Sequence, residues 1–164
     1  MVEGPTALGP WLAPGRPLVG LDLGTKTIGV AVSDTRRSLA TPLETLKRGK
    51  FAADAAALGA LAAGRDACGF VLGLPRNMDG SEGPRAQASR AFARNLSRAL
   101  GLPIALWDER LSTVAVEKAL IAADSSRKRR AEVVDRMAAA HILQGALDRL
   151  AWAARSIEGE GGHG

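Results

Sequence analysis

A chain of 164 residues has room for one domain with a buried core and too little for two large lobes. Hydrophobic residues make up 46% and charged ones 24%, which excludes a disordered polyelectrolyte and predicts a folded globule. The formal charge of +5 and a pI of about 10.1 favour polyanionic partners, nucleic acid first among them.

The chain opens on Met1 to Arg16, where Gly and Pro recur throughout and no basic patch precedes a long apolar stretch. That composition predicts a flexible leader over residues 1–16 and argues against a secretory signal. Leu18 to Leu23 reads as a buried strand and Ile28 to Val32 as a second, with Gly24-Thr25-Lys26-Thr27 as the hairpin between them. A third strand is expected from Leu39 to Leu46, near a sheet edge because it contains Pro42. The pattern then changes. Phe51 to Ala63 is rich in alanine and leucine and predicts a helix stopped by Gly64. Cys68, the only cysteine, excludes an internal disulfide, and beside the apolar strand Gly69 to Leu74 it reads as a buried, inert thiol. Arg76 to Gly83 is a loop, Pro84 to Leu100 a helix capped by Gly101, and Ile104 to Trp107 the last strand. Ser112 or Thr113 is expected to cap a helix to about Ala123, and a final helix starts near Ala131 and passes Leu150. Residues 156–164 read as a frayed tail, leaving one domain over 17–155. No segment is long and apolar enough to cross a bilayer, so the expectation is a cytoplasmic protein without membrane contact. A three-strand meander followed by helix–strand alternation predicts an α/β fold, a mixed sheet flanked by helices.

Three acids stand where acids are costly. Asp22 lies inside an apolar strand between Leu21 and Leu23, where an ionised carboxylate needs a partner. Asp135 heads a mostly apolar row formed by Ala139, Ile142 and Ala146 at helical spacing. Glu109 follows the last strand in Asp108-Glu109-Arg110. Each has an ordinary explanation taken alone. Asp22 can bond to strand-end amides, Asp135 can favour a first-turn helix dipole, and Glu109 can pair with Arg110. Together, at a strand, a strand end and a helix, they suggest one site. Three anions within about 4 Å would repel by roughly 4 kcal/mol per pair at an effective dielectric near 20. Such a cluster protonates or binds cations, and Mg2+ suits it. Two such ions would activate water and steady the leaving oxygen of a phosphodiester.

Four segments carry a resemblance. They are Gly20-Leu-Asp-Leu-Gly-Thr-Lys-Thr-Ile-Gly-Val-Ala-Val-Ser-Asp34, Gly73-Leu-Pro-Arg-Asn-Met-Asp-Gly-Ser-Glu-Gly-Pro84, Asp108-Glu-Arg-Leu-Ser-Thr113 and Val134-Asp-Arg-Met-Ala-Ala-Ala-His-Ile-Leu-Gln144. In this order, over roughly Leu18 to Leu150, they closely resemble the YqgF family, also called RuvX. Its members are described as Holliday-junction resolvases and now mostly as nucleases maturing the 5′ end of pre-16S ribosomal RNA. The resemblance implies a ribonuclease H-like fold with a five-stranded sheet ordered 3-2-1-4-5, strand 2 antiparallel. It carries over Asp22, Glu109 and Asp135 as the acidic triad, and Mg2+ and Mn2+, which accept the same oxygen ligands, are the expected cofactors. In that order Glu109 follows an outer strand, about two spacings of roughly 4.8 Å from Asp22, and must reach back; Asp108 is the alternative.

Lys26 in the hairpin, Asn77 in the loop and Arg110 are candidate substrate contacts. Against these stand a solvated turn lysine, an ordinary turn asparagine and an arginine paired with a neighbouring acid. Arg127, Lys128, Arg129 and Arg130, the densest basic run, directly precede the helix of Asp135 and are candidates for phosphate-backbone contact; a solvated charge run is the bland alternative. His141 reads as structural, and Arg85, Arg90, Arg94 and Arg98 as the outer face of an amphipathic helix. Expected partners are pre-rRNA, or alternatively branched DNA. A resolvase that cuts two strands in register would call for a homodimer. Two rival functions remain. Gly20 to Thr25 also resembles the phosphate-binding turn of actin-like ATPases, which need two lobes; a non-catalytic nucleic-acid-binding module would keep the fold without the chemistry.

Overall fold

The structure, a computed structural model, describes residues 1–111 and 128–161. The helix expected over 112–123 lies outside the described residues.

Among the described residues six strands form one sheet. They are β1 (Val2–Glu3), β2 (Leu18–Leu23), β3 (Thr27–Ser33), β4 (Ala40–Lys47), β5 (Gly69–Leu74) and β6 (Ile104–Asp108), in the order β1-β6-β5-β2-β3-β4. β2, β3 and β4 form the antiparallel meander, and β5 and then β6 add in parallel beside β2. The five expected strands thus have the expected order and directions. β4 is the outer strand, as Pro42 suggested. Between the pairs Val30↔Glu44 and Ala31↔Pro42 the register skips Leu43, a bulge that takes up the irregularity around the proline.

The sixth strand is a correction. Residues 1–16, expected to be a flexible leader, supply β1 on the outer edge of β6 and a 3-10 turn over Pro5–Trp11. Leu8 on that turn is fully buried, and Glu3 pairs with Arg90. The Gly and Pro content read as disorder instead shapes a turn that seats one leucine in the core and covers a strand edge.

Among the described residues three helices pack on the sheet: α1 (Phe51–Gly64), α2 (Pro84–Leu100) and α3 (Lys128–Gly161). Pro84 begins α2 and Gly101, at φ 67°, ends it in the left-handed conformation that glycine tolerates. α3 starts earlier than the expected Ala131, and it continues to Gly161 through residues expected to fray. No glycine or proline interrupts 146–158, so nothing in that stretch stops the helix.

The two faces of the sheet are filled differently. On one, α1 and α2 cover Val19, Leu21, Phe70, Leu72, Ile104 and Leu106. On the other, α3 brings Ala138, Ala139, Ile142, Leu143 and Ala146 against Leu18, Ala31, Val71 and Trp107. Cys68 is buried there, its thiol 3.5 Å from the Pro17 carbonyl. No helix among the described residues is long and apolar enough to cross a membrane.

Candidate active site

Strand alternation decides where Asp22 points. Val19, Leu21 and Leu23 belong to the core under α1 and α2, so Leu18, Gly20 and Asp22 face α3. A Cβ at Gly20 would stand 2.7 Å from the Leu143 Cβ, which places α3 directly on that face. Asp22 is 3% exposed.

Its neighbours across the sheet are glycines. Asp22 pairs with Gly29 on β3. On the other side the β2–β5 register, ending at Leu21↔Leu72, puts Gly73 next to Asp22. Cross-strand neighbours carry side chains on the same face about 5 Å apart, so a residue larger than glycine at either position would crowd the carboxylate. Other groups take that space. At Gly29 it is the Asp135 main chain: a Cβ there would meet the Asp135 carbonyl oxygen at 2.0 Å. At Gly73 it is the Glu109 carboxylate: a Cβ would meet its Oε1 at 2.6 Å and Ile142 Cδ1 at the same distance.

This resolves the difficulty of the outer strand. Glu109 opens a 3-10 turn after β6 and is 7% exposed. Its side chain reaches back over β5 to Gly73, so its carboxylate stands one strand spacing from Asp22 rather than two. Asp135 flanks Asp22 on the opposite side by its backbone, and its Oδ2 accepts a hydrogen bond from the Thr27 hydroxyl. The earlier helix start also removes the ordinary account of Asp135. Seven residues in from Lys128, it lies beyond the first turn, where the dipole acts.

Asp108 goes elsewhere. Arg110 Nη2 stands 2.6 Å from its Oδ2, and Arg76 Nη1 at 3.8 Å. The hydrogen bonds from Arg110 hold the Asp108 carboxyl below the usual carboxylate range. These contacts extend into a ladder: Arg76 pairs with Glu82 at 3.4 Å, and Arg90 joins Glu82 to Glu3. Arg90, read from sequence as one more solvated arginine, is instead the half-buried hub tying α2, the loop after β5 and the N-terminal strand. Its spacing in the helix gave no sign of this, because its partners lie outside the helix, Glu82 in the loop just before it and Glu3 in the N-terminal strand.

The remaining candidates divide. Lys26 is exposed at the hairpin tip. Asn77 closes its own loop, its Nδ2 donating to Ser81 Oγ at 3.0 Å and its N–H to the Ser81 carbonyl at 2.9 Å. Arg110 is engaged by Asp108 and also reaches the Met78 carbonyl at 3.5 Å. Lys128, Arg129 and Arg130 form the first turn of α3 rather than preceding it, and Arg127 lies outside the described residues. Beside the Glu109 turn, a cleft of about 480 Å³ opens between Arg76, Asp108, Leu111 and Arg149, with Glu3 and Thr6 as one wall.

A buried acid row across a mixed sheet of this order, under one long helix, defines a ribonuclease H-like domain. The RuvC of Thermus thermophilus, solved in complex with a Holliday junction substrate, superposes with a TM-score of 0.53 at 12% identity, covering 83% of this chain and 96% of that one. The family described as "RuvX: Holliday junction resolvase" matches residues 16–149, and the chain belongs to that family. A Cereibacter sphaeroides relative is 70% identical over 84% of this chain and 86% of its own, and one from Rhodopseudomonas palustris is 73% identical over 82% and 84%. Both carry the name "Putative pre-16S rRNA nuclease". Residues 1–15, with β1 and the buried Leu8, lie outside the family match.

Proposed function

We propose that this chain is a divalent-metal-dependent nuclease acting on structured nucleic acid in the cytoplasm, with Asp22, Glu109 and Asp135 as its acid triad. The observation that carries the reading is the burial of Asp22 and Glu109 side by side over glycines, with Asp135 seated on Asp22's other flank. Two carboxylates brought side by side in low dielectric repel, and a divalent cation held between them would offset that repulsion.

The donor set fits a hard cation, Mg2+ or Mn2+, because all three side chains offer carboxylate oxygens. Among the described residues no three His, Cys, Asp or Glu side chains already stand as a finished metal cage. Asp22 and Glu109 would hold the ion from the sheet side and Asp135 from the helix side. When bound, it would supply charge neutralisation and an acidified water for phosphodiester hydrolysis. The chain's own part is to fix the carboxylates: the sheet register sets Asp22, Gly73 makes room for Glu109, and Gly29 lets α3 approach. The cleft beyond the Glu109 turn, whose lining includes Arg76 and Arg149 but none of the three acids, would take a flanking stretch of a substrate strand. The basic first turn of α3 would add sequence-independent affinity for phosphate.

For the substrate, the names of the relatives favour the 5′ end of pre-16S rRNA, and the family description favours a four-way DNA junction as the second reading. The deciding experiment offers both to the protein, each with and without divalent metal. The expected result is metal-dependent cleavage of the RNA leader that falls by roughly a thousandfold in Asp22→Ala, about 4 kcal/mol of barrier, while the circular dichroism stays native. Cleavage that persists in Asp22→Ala at the wild-type rate ends the triad reading. Preference for the junction, with a dimer in solution, selects the resolvase. Neutralising Arg127, Lys128, Arg129 and Arg130 together should lower the salt slope of RNA binding by up to about 3 in log–log terms. An unchanged slope removes these four from the interface.

A further inference from the structure

Thr27 opens β3 on its α3-facing side, two residues before Gly29, and its hydroxyl donates to Asp135 Oδ2. The backbone pins both partners of that bond. On the Thr27 side, the hairpin closes through the Gly24 N–H to the Thr27 carbonyl at 2.9 Å. Arg48 braces the same turn: its N–H donates to the Lys26 carbonyl at 2.9 Å and its guanidinium to the Gly24 carbonyl at 2.7 Å. A Cβ at Gly24 would come within 3.3 Å of Thr27 Oγ1, so the glycine keeps the hydroxyl's space clear. On the other side, the Asp135 main chain rests on Gly29 and cannot move inward. With both ends fixed, the hydrogen bond sets the rotation of the carboxylate.

We infer that Thr27 is a positioning residue for the metal site: it engages one oxygen of Asp135, fixes the carboxylate's rotation and leaves the other oxygen for the cation. The inference rests on the nuclease reading above. A ligating carboxylate is commonly oriented by such an outer hydrogen bond, and losing the bond typically weakens metal affinity 10–100-fold. A threonine serving only the hairpin would affect stability and leave affinity alone.

The test is direct Mn2+ binding to the full chain, followed by water-proton relaxation, in wild type, Thr27→Val, Thr27→Ser and Asp22→Asn, with folding checked by circular dichroism. Valine keeps the branched shape and deletes the hydroxyl, so Thr27→Val should stay folded and bind Mn2+ roughly tenfold more weakly or worse. Serine restores the donor and should bind within about threefold of wild type. Thr27→Val binding as tightly as wild type, or tighter, while Asp22→Asn loses binding, overturns the role of Thr27 and spares the site. Wild type that fails to bind Mn2+, or Asp22→Asn that binds like wild type, overturns the site and this inference together.

Discussion

The two faces of the sheet are built on opposite principles. Under α1 and α2, the face is filled with bulk: Phe70, Leu72, Leu58 and Leu96 are fully buried and interdigitate. Under α3, the sheet presents Gly20, Gly29 and Gly73, and the Ala139 and Asp135 carbonyls, the Leu143 and Ile142 side chains and the Glu109 carboxylate occupy the places where Cβ atoms would be. The first face gains stability from apolar area. The second gives up side-chain volume for proximity, and the acids sit in that second face. A helix held further off by large side chains would not bring Asp135 against the strand neighbour of Asp22.

The largest expected effects break this contrast outright. Phe70→Ala on the bulky face should cost about 3–5 kcal/mol of stability while leaving the activity of the molecules that remain folded unchanged. Gly29→Ala puts a methyl where the Asp135 carbonyl is, and backbone cannot yield as a side-chain tip can, so about 3 kcal/mol is expected together with lost cleavage. Chemical denaturation paired with single-turnover assays on the folded fraction separates the two. Equal loss of specific activity in both would dissolve the contrast.

A subtler change sharpens it. Gly73→Ala meets only the Glu109 carboxylate and the Ile142 methyl, both ends of flexible side chains, so its stability cost should be about 1 kcal/mol. Displacing Glu109 by the order of 1 Å should nevertheless lower turnover roughly a hundredfold. Turnover within a factor of two of wild type would mean that Glu109 has no need of that position.

The smallest effect lies off both faces, in the ion-pair ladder. The Asp108 carboxyl is held low by Arg110, so its contribution is present above the ordinary carboxylate pKa near 4 and is lost as pH falls through the depressed folded value. Asp108→Asn should therefore have a lower Tm than wild type at pH 7, with the gap closing as pH falls below the ordinary carboxylate range. A gap independent of pH would assign the loss to packing instead of charge.

Much of this architecture was legible because it is local. Strand β5 and helix α2 were bounded correctly by apolar continuity, Pro84 and Gly101, and the edge placement of β4 followed from Pro42. The errors fell where distant segments intervene. Residues 1–16 read as loose because Gly and Pro recur through them, and Leu8 acquires a core only when α3 and β6 surround it. Arg90 looked solvated for the same reason, since Glu3 and Glu82 reach it only through the fold.

The amino-acid order by itself determined which acids were out of place: a carboxylate within Leu21-Asp22-Leu23 is anomalous in any strand, and that could be read without coordinates. Whether those acids come together was decided by tertiary structure alone. Proximity across the sheet depends on register and on how closely α3 can approach, and both come down to glycines whose importance lies in what fills the space they leave. A glycine's missing side chain has no meaning in one dimension; it acquires one when a carbonyl from 106 residues away, Asp135 over Gly29, occupies the gap.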